Sequence, residues 1–471
     1  MSLVTKSRRL AKTCCRLLRF KRCQRVALRG ITARAAAIDF EDTETAYANI
    51  TSDKLRRSLL VLRLSSLDAF ADRSLELMNI GERILPERLY EALMRRTFYG
   101  QFIAGETEEE LLKTTERFLA MGVRSIPQNT LENELTEQEV LATDLSAVAE
   151  KPLEDNAIII QKNTATGEKL AQVGGQTDHS NTKVVFKMSA IVHPKLLTRL
   201  SSAICSDGQF PVVTAVELEA LMEKAAYAGG YIDLYTKAVD RLDRLIQDVE
   251  ARKLSVLIDA EYSYMQPAIR ALALYMQSKY NKQRPLVYNT EQAYLKEAVE
   301  VNKTNLRISD LSAFQYATKV VRGAYMDSER VLAKRTKTPD PIHATYEDTN
   351  VAYDRVVNAL LQRAALSEAG VLVATHNESS VGYAVGRMQE LGIDRQNGTV
   401  SFAQLMGLCD HVTFRLGRDG YLAYKVVHYG NIKSTLPFLC RRAQENRMVS
   451  KGFRREQALI QKELSRRQTL T

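Results

Sequence analysis

Between residues 38 and 122 the apolar positions recur every three or four residues, as in LRRSLLVLRLSSLDAFADRSLELM (Leu55–Met78). That spacing predicts an arm of amphipathic helices. In YGQFIAGETEEELLKTTERFLAMG (Tyr99–Gly122), Thr107 followed by Glu110 is a capping-box signature, and Gly122 closes the helix it opens. Beyond Gly122 the period changes. Short apolar, β-branched runs alternate with longer helical stretches such as Val213–Arg252 and Tyr346–Ala369. Eight runs read as strands: Val123–Ile126, Lys183–Ile191, Ser255–Glu261, Pro285–Thr290, Tyr316–Arg322, Gly370–Asn377, Thr399–Leu405 and Ala423–Tyr429. An eightfold βα alternation predicts an α/β fold of the (β/α)8 TIM-barrel type rather than an open sheet. The stretch 128–182 is acidic and then Gly/Thr/Asn-rich, so it is expected to be a variable, poorly ordered insertion.

Composition changes this picture at one end only. The net charge is +10, but no Asp or Glu precedes Asp39, and residues 1–37 hold 11 of the 66 Lys and Arg. The other 55 basic residues face 56 acidic ones, so the remainder is nearly neutral and gives no footing for nucleic-acid binding. Leu10, Leu17, Leu18 and Phe20 interleave with the cations of this leader, the pattern of a mitochondrial transit peptide. A basic arm touching RNA or anionic lipid is the other reading. The six cysteines are too few for a disulfide framework, and Cys205, Cys409 and Cys440 lack metal-ligand spacing. No apolar run is long enough for a transmembrane helix, so any membrane contact is peripheral.

Chemistry in such a barrel belongs at the carboxyl ends of the strands. Those ends carry Lys187, Asp259 with Glu261, Asn289-Thr290-Glu291-Gln292, Lys319 with Arg322-Gly323-Ala324-Tyr325, Thr375-His376-Asn377, and Gln404-Leu405. A barrel built for packing alone would not gather so many polar groups at one rim. Asp259 and Glu261, two residues apart on one strand, share a face; with Lys187 they are either acid/base groups or an ion-pair network. Lys319 and Arg322 beside Gly323 suit a phosphate-bearing ligand or a strand-end charge pair. His376 is either a ligand contact or a core histidine. No G-x-G-x-x-G follows a strand, so a Rossmann site is unsupported. Last, YKVVHYGNIKSTLPFLCRRAQEN (Tyr424–Asn446) runs from a strand through Tyr429-Gly430 into a helix with tandem Arg441 and Arg442. Planar guanidinium forks pointing about 100° apart can bracket a carboxylate or phosphate.

The series LIDAE (Leu257–Glu261), YNTEQAYLK (Tyr288–Lys296), KVVRGAYMDSER (Lys319–Arg330), ATHNESSV (Ala374–Val381), FAQLMGLCD (Phe402–Asp410) and RRAQEN (Arg441–Asn446) resembles the proline dehydrogenase family, from about Tyr99 onward. The resemblance implies a distorted (β/α)8 barrel over 123–471 that holds FAD, with the double-arginine helix over the barrel mouth. It implies that Arg441 and Arg442 hold the substrate carboxylate, and that Lys187, Asp259 and Leu405 line the pocket. Gln292, Lys319, Arg322, Thr375, His376 and Glu445 would contact FAD, with Gly323, Ala324, Tyr325 and Asn377 beside them. The implied reaction takes a cyclic imino acid, L-proline or trans-4-hydroxy-L-proline, to its Δ1-pyrroline-5-carboxylate. Electrons would go to a quinone at the matrix face of the inner mitochondrial membrane.

Two departures resemble the hydroxyproline-oxidising branch. Val426 stands where proline-oxidising members carry a tyrosine, and Pro127-Gln128-Asn129 replaces the usual LDY of the first strand. His428 replaces the family's proline. Outside the family, Lys187 at a strand end is the residue a Schiff-base lyase or aldolase would use, and an inactive flavin-binding homologue is a further reading.

Overall fold

The computed structural model describes residues 38–67, 73–129, 140, 144–145, 148–173, 175, 179–205, 208–436, 438–440 and 450–469. The leader 1–37, Arg441, Arg442 and Glu445 lie outside the described residues, and with them the helix expected over the mouth.

Eight parallel strands form the barrel in the order expected: β1 Val123–Asn129, β2 Lys183–Phe186, β3 Ser255–Ile258, β4 Val287–Gln292, β5 Tyr316–Val321, β6 Ala369–Ala374, β7 Val400–Leu405 and β8 Ala423–Tyr429. Hydrogen-bonded ladders run from β2 through β8 to β1, and β1 and β2 meet at the remaining seam. Pro127 sits at that seam. It has no N–H to give, and its carbonyl accepts from Asn163 Nδ2 (3.4 Å). Strand parity separates two cores. Ile126, Leu257, Tyr288, Ala317, Leu372, Ala403 and Tyr424 fill the barrel interior. Strand residues of the opposite parity, Val184, Val256, Val287, Val320, Val371, Phe402 and Ala423, meet the surrounding helices.

The expected insertion at 128–182 requires correction. β1 continues to Asn129, and Lys151–Val173 is a 23-residue helix packed on β1, β2 and the helix Ile232–Ala251. Its Asn163, Thr164, Thr166 and Gly167 are buried, and a Cβ on Gly167 would press on Val184. Small residues here let the helix approach β2 closely. Several strand ends also move. Met188–Ile191, read as part of the second strand, is a helical turn whose Ser189 N–H donates to Glu261 (2.8 Å). β3 ends before Asp259 and Glu261, so the two carboxylates do not share a strand face.

The arm comprises helices Thr43–Tyr47, Ser52–Ser65, Ser74–Ile84, Glu87–Arg96, Phe98–Phe102 and Glu108–Leu119. Thr107 caps the last by accepting from Glu110 N (3.3 Å), but the Glu110 carboxylate reaches Glu106 N (2.7 Å) rather than closing the box. Gly122 adopts φ +75°, and a Cβ there would meet the Gly417 carbonyl. The arm buries its apolar face against residues that follow β8 (Ile432, Leu436, Phe438, Leu439) and against Leu459 and Ile460 of the helix Ser450–Gln468. Polar bonds reinforce that docking: Arg467 donates to Tyr47 O (2.8 Å) and Ile50 O (2.7 Å), and Thr43 Oγ1 to Glu463 (3.2 Å). Among the described residues no helix is long and apolar enough to cross a membrane.

Candidate active site at the barrel mouth

The carboxyl ends of β3 and β5 are joined by an ion pair between Asp259 and Lys319, two half-buried groups. The other carboxylate goes elsewhere. Glu261 is 2% exposed, and burial pushes its pKa up; Lys187 and the Ser189 N–H oppose that shift. Glu261 thus anchors the turn after β2, and its own carbonyl accepts from Gln292 Nε2 (3.0 Å) at the end of β4. An unpartnered buried charge costs several kcal/mol, so these crosslinks hold the ends of β2, β3, β4 and β5 in one arrangement.

Arg322, just past β5 and three residues beyond Lys319, is the hub of a second network. Its guanidinium donates to Asn350 Oδ1 (2.6 and 3.2 Å), Ser380 Oγ (3.1 Å) and Thr375 Oγ1, and lies over the Tyr353 ring at 4.5 Å. Thr375 Oγ1 in turn accepts from Asn377 N (3.0 Å), and Asn377 caps the helix Glu378–Glu390 by accepting from Ser380 N (3.0 Å). His376 Nε2 accepts from Leu405 N (3.0 Å), so the imidazole links the ends of β6 and β7. Leu405 and Val426 are register partners in β7 and β8, both half-buried. The Gly323 backbone, at φ +138°, was expected to make room for a ligand. Instead the Tyr294 ring occupies the space a Cβ would need. Ala324 is exposed, and the Tyr325 ring packs on Tyr262 at 4.3 Å.

The structure therefore brings Lys187, Asp259, Gln292, Lys319, Arg322, Thr375, His376, Asn377, Leu405 and Val426 to one end of the barrel. His428 serves packing: its ring stacks on Phe438 at 3.6 Å and its carbonyl accepts from Ala104 N (2.8 Å). Asn350, Tyr353 and Ser380, which hold Arg322, were missed because they lie on helices far along the chain. Asn377-Glu378-Ser379-Ser380, a cap signature, was the available hint. Lys183 was missed too. It starts β2 at the opposite end of the barrel, 1% exposed, with its ammonium 4.6 Å from the Tyr288 ring, and burial brings its pKa down to about 7. Among the described residues no group of His, Cys, Asp or Glu could hold a metal ion.

The sequence model of the family described as "Proline dehydrogenase" matches residues 112–455. Hydroxyproline dehydrogenase of Xenopus laevis is 34% identical over 424 residues, covering 88% of each chain. Proline dehydrogenase 1, mitochondrial, of Homo sapiens is 29% identical over 539 residues, covering 92% of this chain and 90% of that one. Among solved structures, proline utilization A from Bdellovibrio bacteriovorus superposes with a TM-score of 0.59 at 16% identity. That match takes in 91% of this chain but 40% of the longer protein, and it speaks to the fold.

Proposed function

The chain belongs to the proline dehydrogenase family, and from that membership we propose that it is an FAD-dependent dehydrogenase of a cyclic imino acid, trans-4-hydroxy-L-proline or L-proline. The product is the corresponding Δ1-pyrroline-5-carboxylate, and electrons pass to a quinone. Relatives named mitochondrial support a mitochondrial enzyme whose leader is 1–37, and the matrix face of the inner membrane is the proposed setting. The reading is supported by one observation: the Asp259–Lys319 pair and the Arg322–Thr375 hub, both anchored at the end of β5, gather at one end of a single barrel.

The donor set suits FAD. Arg322 and Lys319 supply cations for an anionic dinucleotide, and Thr375 and Gln292 supply a hydroxyl and an amide. When bound, FAD would accept the hydride from the imino acid ring. The chain's own residues bind and orient. Lys319, fixed by Asp259, would set positive charge beside the flavin, and Asp259 and Lys187 would line the substrate side. Arg441, Arg442 and Glu445 complete the proposed site, the arginines on the substrate carboxylate and Glu445 on the cofactor. His376, Asn377, Gly323, Ala324 and Tyr325 shape the cofactor rim. The Schiff-base alternative at Lys187 is disfavoured by the family membership, since the curated relatives are named dehydrogenases.

The test is anaerobic visible absorption of the purified chain, titrated with L-proline and then with trans-4-hydroxy-L-proline. A flavin spectrum bleached by either is the expected result. A colourless protein that cannot be reconstituted with FAD overturns the proposal. Val426, the register partner of Leu405, is smaller than the tyrosine that the family resemblance leads one to expect there. Val426→Tyr is expected to shift the ratio of kcat/KM toward proline by about tenfold, the scale of a pocket-filling change. An unmoved ratio would remove Val426 as a discriminator.

A further inference from the structure

Behind the loop that follows β7 lies a second cavity, of about 260 Å³, walled by the arm on one side and by residues 406–414 on the other. Its charged lining is Lys54 and Arg57 on the helix Ser52–Ser65, Arg95, Glu110, Arg117 and Asp410. Each acid already has one partner, though the Glu110 carboxylate keeps its charge. Asp410 pairs with Lys425 (2.7 Å), and Glu110 accepts from Glu106 N (2.7 Å). Arg95 is neutralised by Glu106. That leaves Lys54, Arg57 and Arg117, none of which has a carboxylate at ion-pair distance among the described residues. Arg117 donates only to the neutral Thr114 Oγ1 (2.6 Å). The Arg57 Nε is buried with no hydrogen-bond partner. Burial, and after it the neighbouring cations, lower the pKa of Lys54; burial and then Arg117 lower that of Arg57, against a partial pull from Asp410. Burial alone lowers that of Arg117.

These three cations, with no carboxylate at ion-pair distance among the described residues and only a partial pull from Asp410 on Arg57, repel one another as they stand. A single carboxylate would offset one of them. A phosphate brings a charge near −2 and three acceptor oxygens, which matches two guanidinium forks and an ammonium. The cavity volume leaves room for a small organic part. We propose that this cavity, whose lining includes none of the substrate and cofactor groups placed at the mouth, binds a phosphate group through Lys54, Arg57 and Arg117. The phosphate belongs either to a soluble metabolite or to a lipid headgroup.

The experiment uses the full chain as purified, with inorganic pyrophosphate as the soluble probe and vesicles of phosphatidylglycerol in phosphatidylcholine as the lipid probe. Melting is compared with and without pyrophosphate at matched ionic strength, in the parent and in Lys54→Gln/Arg57→Gln. Saturable stabilisation by a few degrees at a large excess over Kd is expected in the parent and not in the variant. Without ligand the variant should melt no lower than the parent, because it sheds mutual repulsion. If the cations were structural struts it would melt lower. Flotation with the anionic vesicles, lost in the variant and without a pyrophosphate effect, would assign the phosphate to a lipid. No response to either probe, an equal response in the variant, or the same stabilisation by sodium chloride alone would overturn the proposal.

Discussion

Arg322→Ala is expected to yield a folded chain that loses its flavin on dilution, with Kd for FAD raised about a hundredfold. The guanidinium makes bonds to Asn350, Ser380 and Thr375 and stacks on Tyr353, so its fork is held still before any ligand arrives. A hydrogen bond to a charged group contributes about 1.5–3 kcal/mol, and each 1.4 kcal/mol is tenfold in an equilibrium constant. Arg322→Lys should recover part of the affinity, since it keeps the charge but not the fork. The measurement is flavin fluorescence on dilution together with melting temperature. If FAD affinity is unchanged while the melting temperature falls, Arg322 is a brace between β5, β6 and their helices, and the cofactor lies elsewhere.

The second large effect is expected at Asp259. Its carboxylate and the Lys319 ammonium are both half-buried, and deleting one partner leaves the other uncompensated, a change that costs about 3–5 kcal/mol where burial is complete and less here. With Lys319 free to leave the place proposed for it beside the flavin, Asp259→Ala should lower kcat by about a hundredfold while KM for the imino acid moves little. Lys319→Met should do the same. The double variant is the sharper test. Its loss should fall well short of the product of the two single losses, because both remove the same interaction. Multiplicative losses would mean that the two residues act independently.

The barrel was legible because strands buried on both faces read as apolar runs with polar ends, and Ser255–Ile258 and Ala369–Ala374 have that form. Strand ends were less so. Lys187–Ile191 and Asp259–Glu261 continue the strand-like pattern beyond the ladder, and the chain is turned there by a tertiary bond, Ser189 N–H to Glu261. The helix Lys151–Val173 was invisible for a similar reason. Its NTATG segment (Asn163–Gly167) has poor helix propensity, and the residues are dictated by close packing on β2 and by Asn163 reaching Pro127. The site reads the same way. Polar strand ends announced Lys319, Arg322 and Thr375, whereas Asn350 and Ser380 become neighbours of Arg322 only when helices after β5 and β6 fold back.

The clasp between the arm and the last helix has a consequence for the order of events in folding. Thr43 and Glu463, 420 residues apart, share a hydrogen bond, and Arg467 reaches the carbonyls of Tyr47 and Ile50. The arm emerges from the ribosome before the barrel and the last helix, but finds its binding surface last. The intervening βα units can assemble from local contacts as they appear. The arm's apolar face, with Leu55, Val61, Leu62 and Phe102, must wait for Ile432, Leu439 and Ile460. Until then it is the exposed hydrophobic surface a holding chaperone would recognise, and deleting the helix Ser450–Gln468 would leave the part that packs on Leu459 and Ile460 uncovered for good.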